Sequence, residues 1–383
     1  MFVGDIEDRR KTRSTCRKRV VQRVLDCIER LSRERRGPRV VLEAATLDNH
    51  SPDVVEFGPR THALVTGGAG FLGSALVDLL LDRNCSVTVI DDLSNGSLRN
   101  LPVDNPRLTI RTFRVGSPAF NAAVHDEVGL ADAVFHLASP IGVQLAHTER
   151  FAVTSGILES GSAIVEACRL HRRPLLYTSS SEVYGSGRDR PITESDPVVT
   201  DLRPRWGYAA AKAAVEHLIA GLFFDFGIPA WIVRPFNMAG PRQRSATGLV
   251  LPVFVNSALR GEPLVVHDDG EQRRAFLHVA DAAEGLLLVM QCRSLQGRPV
   301  NLGGNEAVQI GNLARMVVEA TKTNAPIVMR SSNAVYGERF AVTHDRVPDT
   351  SLLSTMTGWR PLRSTRQTIV DCIEHMRTER VMA

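Results

Sequence analysis

Tyr208-Ala-Ala-Ala-Lys212 sets a phenol and an ammonium four residues apart. On a helix that spacing places both side chains on one face. An ammonium beside a phenol favours the phenolate, and a bound nicotinamide cation pushes the same way. Tyrosine can then act as a base toward an alcohol near neutral pH. The spacing alone is common on helix surfaces, so the reading needs a partner. Ser180 supplies one, within Thr178-Ser-Ser-Ser-Glu-Val-Tyr-Gly185 at the end of an apolar run. A hydroxyl there can hold the reacting oxygen and stabilise the charge that develops on it. Glu182 is either a second acid/base or a pocket group, and Tyr184 reads as structural.

The second chemical signal is Thr66-Gly67-Gly68-Ala69-Gly70-Phe71-Leu72-Gly73. Gly67 permits a tight turn, Gly70 lets a pyrophosphate approach the backbone, and Gly73 lets a helix pack on a strand. Phosphate then meets unpaired N–H groups at the helix start. Asp91 ends the next apolar run, 24 residues after Gly67. Its carboxylate can accept both hydroxyls of an adenosine ribose and repels a 2′-phosphate, which favours NAD over NADP. Asp92 is the neighbour that competes for this assignment.

These residues need a scaffold, and the apolar pattern describes one. Short runs at His62 to Thr66, Ser86 to Ile90, Leu108 to Phe113, Ala131 to Leu137, Pro174 to Ser179 and Ala230 to Arg234 read as strands. Helical spacing fills the gaps, as at Leu72 to Leu81, Gly156 to Cys168 and Tyr208 to Phe226. Strands apolar on both faces that alternate with helices predict an α/β Rossmann-type, doubly wound parallel sheet. The expected division is a Rossmann domain over 60–235 carrying the catalytic residues and a smaller mixed α/β substrate domain over 236–383. Some segments of the latter return to the core.

Residues 1–59 read as a basic extension. Its first 40 residues hold 13 Lys and Arg against 6 Asp and Glu, so the net charge of +4 leaves the remainder at −3. Val21, Val24, Leu25, Ile28 and Leu31 mark one helix in it. The balanced main body carries no nucleic-acid signature. Six scattered cysteines without a CxxC pair suggest neither a disulfide scaffold nor a metal site. No apolar run reaches the roughly 20 residues that span a bilayer, and no signal-peptide core opens the chain. The default expectation is a cytoplasmic protein with no membrane or nucleic-acid partner.

The motifs together resemble the extended short-chain dehydrogenase/reductase family of nucleotide-sugar epimerases, dehydratases and decarboxylases, over roughly residues 61–375. They are the glycine turn, Asp91-Asp-Leu-Ser-Asn-Gly96, His136-Leu-Ala138, Ser180 to Gly185, the Tyr208/Lys212 pair and Arg234-Pro-Phe-Asn-Met-Ala-Gly-Pro-Arg242. The resemblance implies a catalytic triad of Ser180, Tyr208 and Lys212, with Glu182 beside it. Lys212 would also hold the nicotinamide ribose. It implies NAD contacts at Gly67, Gly70, Phe71, Leu72, Gly73, Asp91, Asp92, Asn95 and Gly96, and along Leu137, Ala138 and Ser139. A nucleotide sugar, UDP-linked, would meet Ser180, Ser181, Asn237, Arg274 and Arg346. Guanidinium groups suit its diphosphate.

The family first oxidises the sugar at C4. The overall pattern puts 4-epimerisation of a UDP-glucuronate or UDP-glucose type of substrate first, with UDP-glucuronate decarboxylation as the alternative. Dehydratases of the family carry Asp-Glu after the hydroxyl residue. Ser181-Glu182 lacks that aspartate, which argues against 4,6-dehydration. Retention of all three triad residues argues against a non-catalytic NAD-binding protein. Val115-Gly-Ser-Pro118 departs from the usual adenine-contacting aspartate. The resemblance further implies a homodimer through a four-helix bundle, with Ile157, Ile164, Val165, Ala210, Val215 and Leu218 as apolar positions on the two helices concerned.

Overall fold

The structure is a computed structural model that describes residues 55–113, 117–140, 148–199, 201–203, 206–332 and 345–382. The helix expected at 21–31 and most of the 1–59 extension lie outside the described residues, as do Val115 and Gly116.

The first half alternates as expected: β1 (His62–Thr66), α1 (Phe71–Asp82), β2 (Ser86–Asp91), β3 (Leu108–Thr112), α2 (Pro118–Leu130), β4 (Ala133–His136), α3 (Arg150–His171), β5 (Leu175–Thr178), α4 (Trp206–Phe226) and β6 (Ala230–Pro235). The second half is more broken: β7 (Met238–Ala239), α5 (Val250–Arg260), β8 (Leu264–His267), β9 (Arg273–Ala275), β10 (Leu277–His278), α6 (Val279–Met290), β11 (Pro299–Leu302), β12 (Ala307–Gln309), α7 (Ile310–Thr321), β13 (Ile327–Arg330), α8 (Ser351–Thr357) and α9 (Thr365–Met382).

Seven strands form one parallel sheet in the order β11-β6-β5-β4-β1-β2-β3. β4 and β5 are buried throughout, whereas edge strand β3 is partly exposed along its length. That difference is the one expected between the centre and the rim of a covered sheet. One face is packed by α1 and α6 through Leu76, Leu80, Leu286 and Leu287. The other is packed by α2, α3 and α4 through Phe120, Ile164 and Val215. The strand order reverses between β1 and β4, so a crevice opens at their carboxyl ends, where ligands of such sheets bind. The carboxyl ends of β1, β2, β4 and β5 carry the glycine turn, Asp91, Leu137 and Ser180.

Segments after 235 build a separate core from Phe254, Val255, Leu264, Leu313 and Ile369. β11 and α6 lie instead against the main sheet. α3 and α4 pack closely enough that a Cβ on Gly161 would come within 2.6 Å of Val215. Of the positions named for a four-helix bundle, Ile157, Ile164 and Val215 are buried in the chain's own core, while Ala210 and Leu218 are exposed. Val165 is partly buried. Among the described residues no helix is long and apolar enough to cross a membrane.

Candidate active site

The glycine turn has the geometry its spacing implies. Gly67 sits at φ 73°, and a Cβ there would meet the Ala138 nitrogen at 2.7 Å. A Cβ on Gly73 would lie 2.1 Å from the Gly67 carbonyl oxygen. At Gly70 the nearest atom to a built Cβ is that same oxygen at 3.2 Å, so the outer side of the turn is open. No side chain caps the start of α1, which leaves the N–H groups of Phe71 and Leu72 to an external acceptor. Asp91 is 7% exposed, with Oδ2 accepting from Ala69 N at 2.9 Å and Oδ1 from Leu93 N at 2.8 Å. Burial raises its pKa. Each oxygen keeps a lone pair for a further donor. Asp92 is turned to a local role, accepting from the Ser94 N–H and hydroxyl. Gly96 packs on the turn, since a Cβ there would lie 2.9 Å from both Ala69 C and Asp91 Oδ1. The exposed Asn95 offers its carbonyl to Arg244 Nη1 at 3.2 Å.

An open glycine turn, an uncapped helix start and a carboxylate at the next strand end fit a dinucleotide. Gly73→Ala tests that fit, because the methyl would strike backbone that cannot rotate away. The expected result is a loss of roughly 1–3 kcal/mol of stability together with loss of co-purifying NAD. Both are read by thermal unfolding and by the absorbance of acid-released nucleotide. Parental Tm and NAD content in the variant would show that the turn tolerates a side chain.

On the β4 side, Thr66 Oγ1 lies 2.7 Å from His136 Nδ1 and accepts from Ala138 N at 3.3 Å, tying β1 to β4 at the switch point. Burial, and secondarily Lys212, hold the His136 pKa down at about 3, so the ring is neutral. Leu137 is buried, and the Ser139 hydroxyl lies toward Tyr208.

Tyr208 and Lys212 share a face of α4 as expected. Lys212 is 2% exposed and its Nζ donates to the Thr178 carbonyl at 2.8 Å. It stands 4.9 Å from the Tyr177 ring centre and 5.9 Å from that of Tyr208. Burial lowers its pKa to about 7, against an upward pull from Glu216. Tyr208 is raised to about 12, first by burial and then by the Glu182 charge, while the Ser180 and Ser139 hydroxyls pull it down. The expected activation of the phenol by the neighbouring ammonium is therefore outweighed in the ligand-free chain. Lys212 directs its charge at a carbonyl, and desolvation of the phenolate wins. Ser180 caps the turn Ser181–Tyr184, accepting from Glu182 N at 3.1 Å, and hydrogen-bonds Tyr208. Ser181 is only 3% exposed, which leaves it little surface to offer a substrate.

Glu182 and Arg346 were separate expectations, and the structure joins them. Arg346 Nη1 donates to Glu182 Oε1 at 2.5 Å, and its Nη2 reaches the Gly185 carbonyl at 3.4 Å. Arg346 is 5% exposed, and its buried Nε–H has no acceptor among the described residues. Backbone bonds from Ile192 N to Val347 O and from Arg346 N to Arg273 O hold this segment in place. Arg346 bridges Arg274, and Asn237 Nδ2 donates to both the Ala275 and the Arg346 carbonyls at 3.2 Å. Asn237 adopts φ 36°, a left-handed conformation that asparagine tolerates better than most side chains. Asn237, Arg274 and Arg346 thus lie on neighbouring backbone segments, with the Asn237 amide on two carbonyls and the Arg346 guanidinium on Glu182.

Two residues of this neighbourhood escaped the sequence reading as a pair. Glu216, on the face of α4 that carries Tyr208 and Lys212, is bound to Arg234 of β6. The place of Glu216 could have been read from its i, i+4, i+8 spacing with Tyr208 and Lys212.

The NAD dependent epimerase/dehydratase family model matches residues 63–303. The UDP-N-acetyl-alpha-D-glucosaminuronate decarboxylase of Bacillus cytotoxicus is 31% identical over 324 residues, covering 83% of this chain and 98% of that protein. UDP-glucuronic acid decarboxylase 2 of Arabidopsis thaliana is 33% identical over 310 residues, covering 79% of this chain and 65% of that one. Among solved structures, the UDP-glucose 4-epimerase of Thermus thermophilus in complex with NAD is 26% identical with a TM-score of 0.72, over 82% of this chain and 99% of that one.

Proposed function

The chain belongs to the NAD dependent epimerase/dehydratase family, and we propose that it oxidises a UDP-hexuronate at C4 and releases its C6 carboxyl as carbon dioxide. At the coarser level it is an NAD-dependent enzyme of the nucleotide-sugar epimerase, decarboxylase and dehydratase group. The observation that carries the finer reading is the Glu182–Arg346 ion pair beside Ser180. An epimerase needs only to remove and return hydrogen at C4 while the keto sugar turns over. With a neutral hexose a carboxylate and an arginine next to the reacting hydroxyl have no task, whereas a hexuronate brings a C6 carboxylate to them and a decarboxylase must let it go.

NAD, when bound, supplies the hydride acceptor and donor for C4. Phe71 and Leu72 N–H groups would hold its pyrophosphate, Asp91 its adenosine ribose, and Lys212 the other ribose. Tyr208 Oη takes the C4 hydroxyl proton while Ser180 Oγ holds the same oxygen. With C4 a ketone, the substrate is a β-keto acid. The C5–C6 bond breaks, its electron pair moves onto the C4 oxygen, the Tyr208 and Ser180 hydroxyls stabilise that enolate, and C5 then takes a proton from water to give the 4-keto pentose. Glu182 engages Arg346 and so keeps its guanidinium from holding the C6 carboxylate, which favours departure as neutral carbon dioxide. Asn237 and Arg274 would bind the diphosphate.

The direct test incubates the NAD-loaded protein with UDP-glucuronate and with UDP-N-acetylglucosaminuronate, followed by mass spectrometry and proton NMR. Loss of carbon dioxide to a UDP-pentose or its keto form is the expected outcome. An isomer of unchanged mass with an axial C4 hydroxyl would establish 4-epimerisation. That is the second reading, supported by the 26% identical epimerase of the same fold. No change in either uronate would sink the proposal.

A further inference from the structure

We propose that Glu216 is a positioning residue of the reaction: clamped by Arg234, it sets a carboxylate one helical turn from Lys212 and locks α4 against the turn that carries Ser180 and Glu182. This rests on the part proposed for Lys212 above.

Three side chains at successive i+4 steps, Tyr208, Lys212 and Glu216, lie along one face of α4. Glu216 is 7% exposed and receives both arms of a guanidinium, from Arg234 Nε at 2.8 Å and Nη2 at 2.5 Å. Arg234, 5% exposed, spends its remaining arm on the Tyr184 hydroxyl at 2.8 Å. That hydroxyl donates onward to Asn301 Oδ1 at 2.7 Å. Asn301, fully buried on β11, is fixed by the Ile192 carbonyl at 2.9 Å and by Glu194 at the same distance. The chain of contacts runs without a break from the helix of Lys212, across β6, to Tyr184 in the turn that presents Ser180 and Glu182. A buried ion pair of this kind contributes little to stability, since apolar residues of the same volume serve as well. What it does supply is a fixed negative charge one helical turn from Lys212.

Lys212 needs such a charge. Among the described residues its ammonium has no carboxylate partner of its own, only the Thr178 carbonyl and the faces of Tyr177 and Tyr208. The titratable groups around it are Tyr208 and Glu216 on α4, Tyr177 on β5 and His136 on β4, with Arg234 beyond Glu216. Tyr177 and His136 are neutral at physiological pH, and Tyr208 is a phenol. Glu216 is thus the one anion of that set. Burial alone drives a lysine toward the free amine, and Glu216 opposes that here.

The chain has four lysines, at positions 11, 18, 212 and 322, so Lys212 can be followed individually. The experiment titrates the ligand-free full chain labelled with ¹³Cε-lysine by NMR, assigning Lys212 by its loss in Lys212→Met. The parent is expected to titrate at about 7. Glu216→Gln is expected to lower that midpoint by about one pH unit or more, and Glu216→Asp to return it toward the parent. An unmoved midpoint in Glu216→Gln overturns the proposal. If that variant does not fold with Arg234 left unpaired, Glu216→Gln/Arg234→Met is compared with Arg234→Met, so that the two differ in the Glu216 charge alone, and equal Lys212 midpoints in the two overturn the proposal. Because no substrate is present, this outcome stands whether or not a uronate loses carbon dioxide.

Discussion

The Tyr208→Phe protein is expected to fold and carry NAD as the parent does, yet turn over about 10²–10⁴-fold more slowly. In the proposed mechanism the phenol oxygen takes the C4 proton. Ser180 hydrogen-bonds it, Glu182 is engaged by Arg346, and Lys212 faces a carbonyl. Removing the oxygen leaves the half-buried ring in place and costs one hydrogen bond, about 0.5–1.5 kcal/mol. A fall in kcat with little change in Tm and unchanged nucleotide content therefore isolates the proton-transfer role. The pH dependence follows from the same geometry. With the phenol pushed up to about 12, the basic form is the scarce one at neutral pH. Activity should rise with pH along the acid limb of the parent's profile and lose that limb in the variant. Turnover within tenfold of the parent would remove Tyr208 from the mechanism.

What could be read from the sequence was local. The glycine turn spans seven residues, and each glycine has a steric reason visible in the spacing itself. The Tyr208/Lys212 pair needs only a helix to meet, and the inner strands β1, β2, β4, β5 and β6 announce themselves by being apolar on both faces, whereas edge strand β11 was not expected. Contacts between distant segments were less legible. Glu182 and Arg346 stand 164 residues apart, and each was identified as a site residue without any indication that they form a pair. Glu216 looks like any polar position on a helix until β6 brings Arg234 against it. The sign of the Tyr208 shift failed for a related reason. A sequence shows that an ammonium is near, but not that burial outweighs it or that the ammonium is aimed elsewhere. The short strands β7, β9, β10 and β12 were missed because two or three residues carry no period. They are nonetheless what sets Asn237, Arg274 and Arg346 side by side.

Glu182→Gln is expected to separate C4 oxidation from carbon dioxide loss, because it changes the charge that meets the C6 carboxylate while preserving the shape of the wall. In the parent, Arg346 is committed to Glu182 through Nη1, and its net charge toward an incoming uronate is cancelled. In the variant the guanidinium is released to bind the substrate carboxylate directly. The ground state is then held more tightly and its departure as a neutral molecule is disfavoured. The signature is a lower KM for UDP-glucuronate together with a lower kcat for carbon dioxide release, each by roughly tenfold or more. That split marks the loss of ground-state destabilisation rather than of uniform binding. Reduced nicotinamide should accumulate, read by its near-ultraviolet absorbance, since oxidation at C4 does not require Glu182. The acid limb of that oxidation should also move to lower pH, because the Glu182 charge is one of the causes that raise Tyr208. UDP-glucose, which has no carboxylate, provides the internal control: its KM should be unchanged. Arg346 loses its carboxylate partner, so a modest fall in Tm is expected, damped because the Glu182 side chain is 22% exposed. If the variant releases carbon dioxide at the parental rate, the Glu182–Arg346 pair is scaffolding and the decarboxylase reading loses the observation on which it stands.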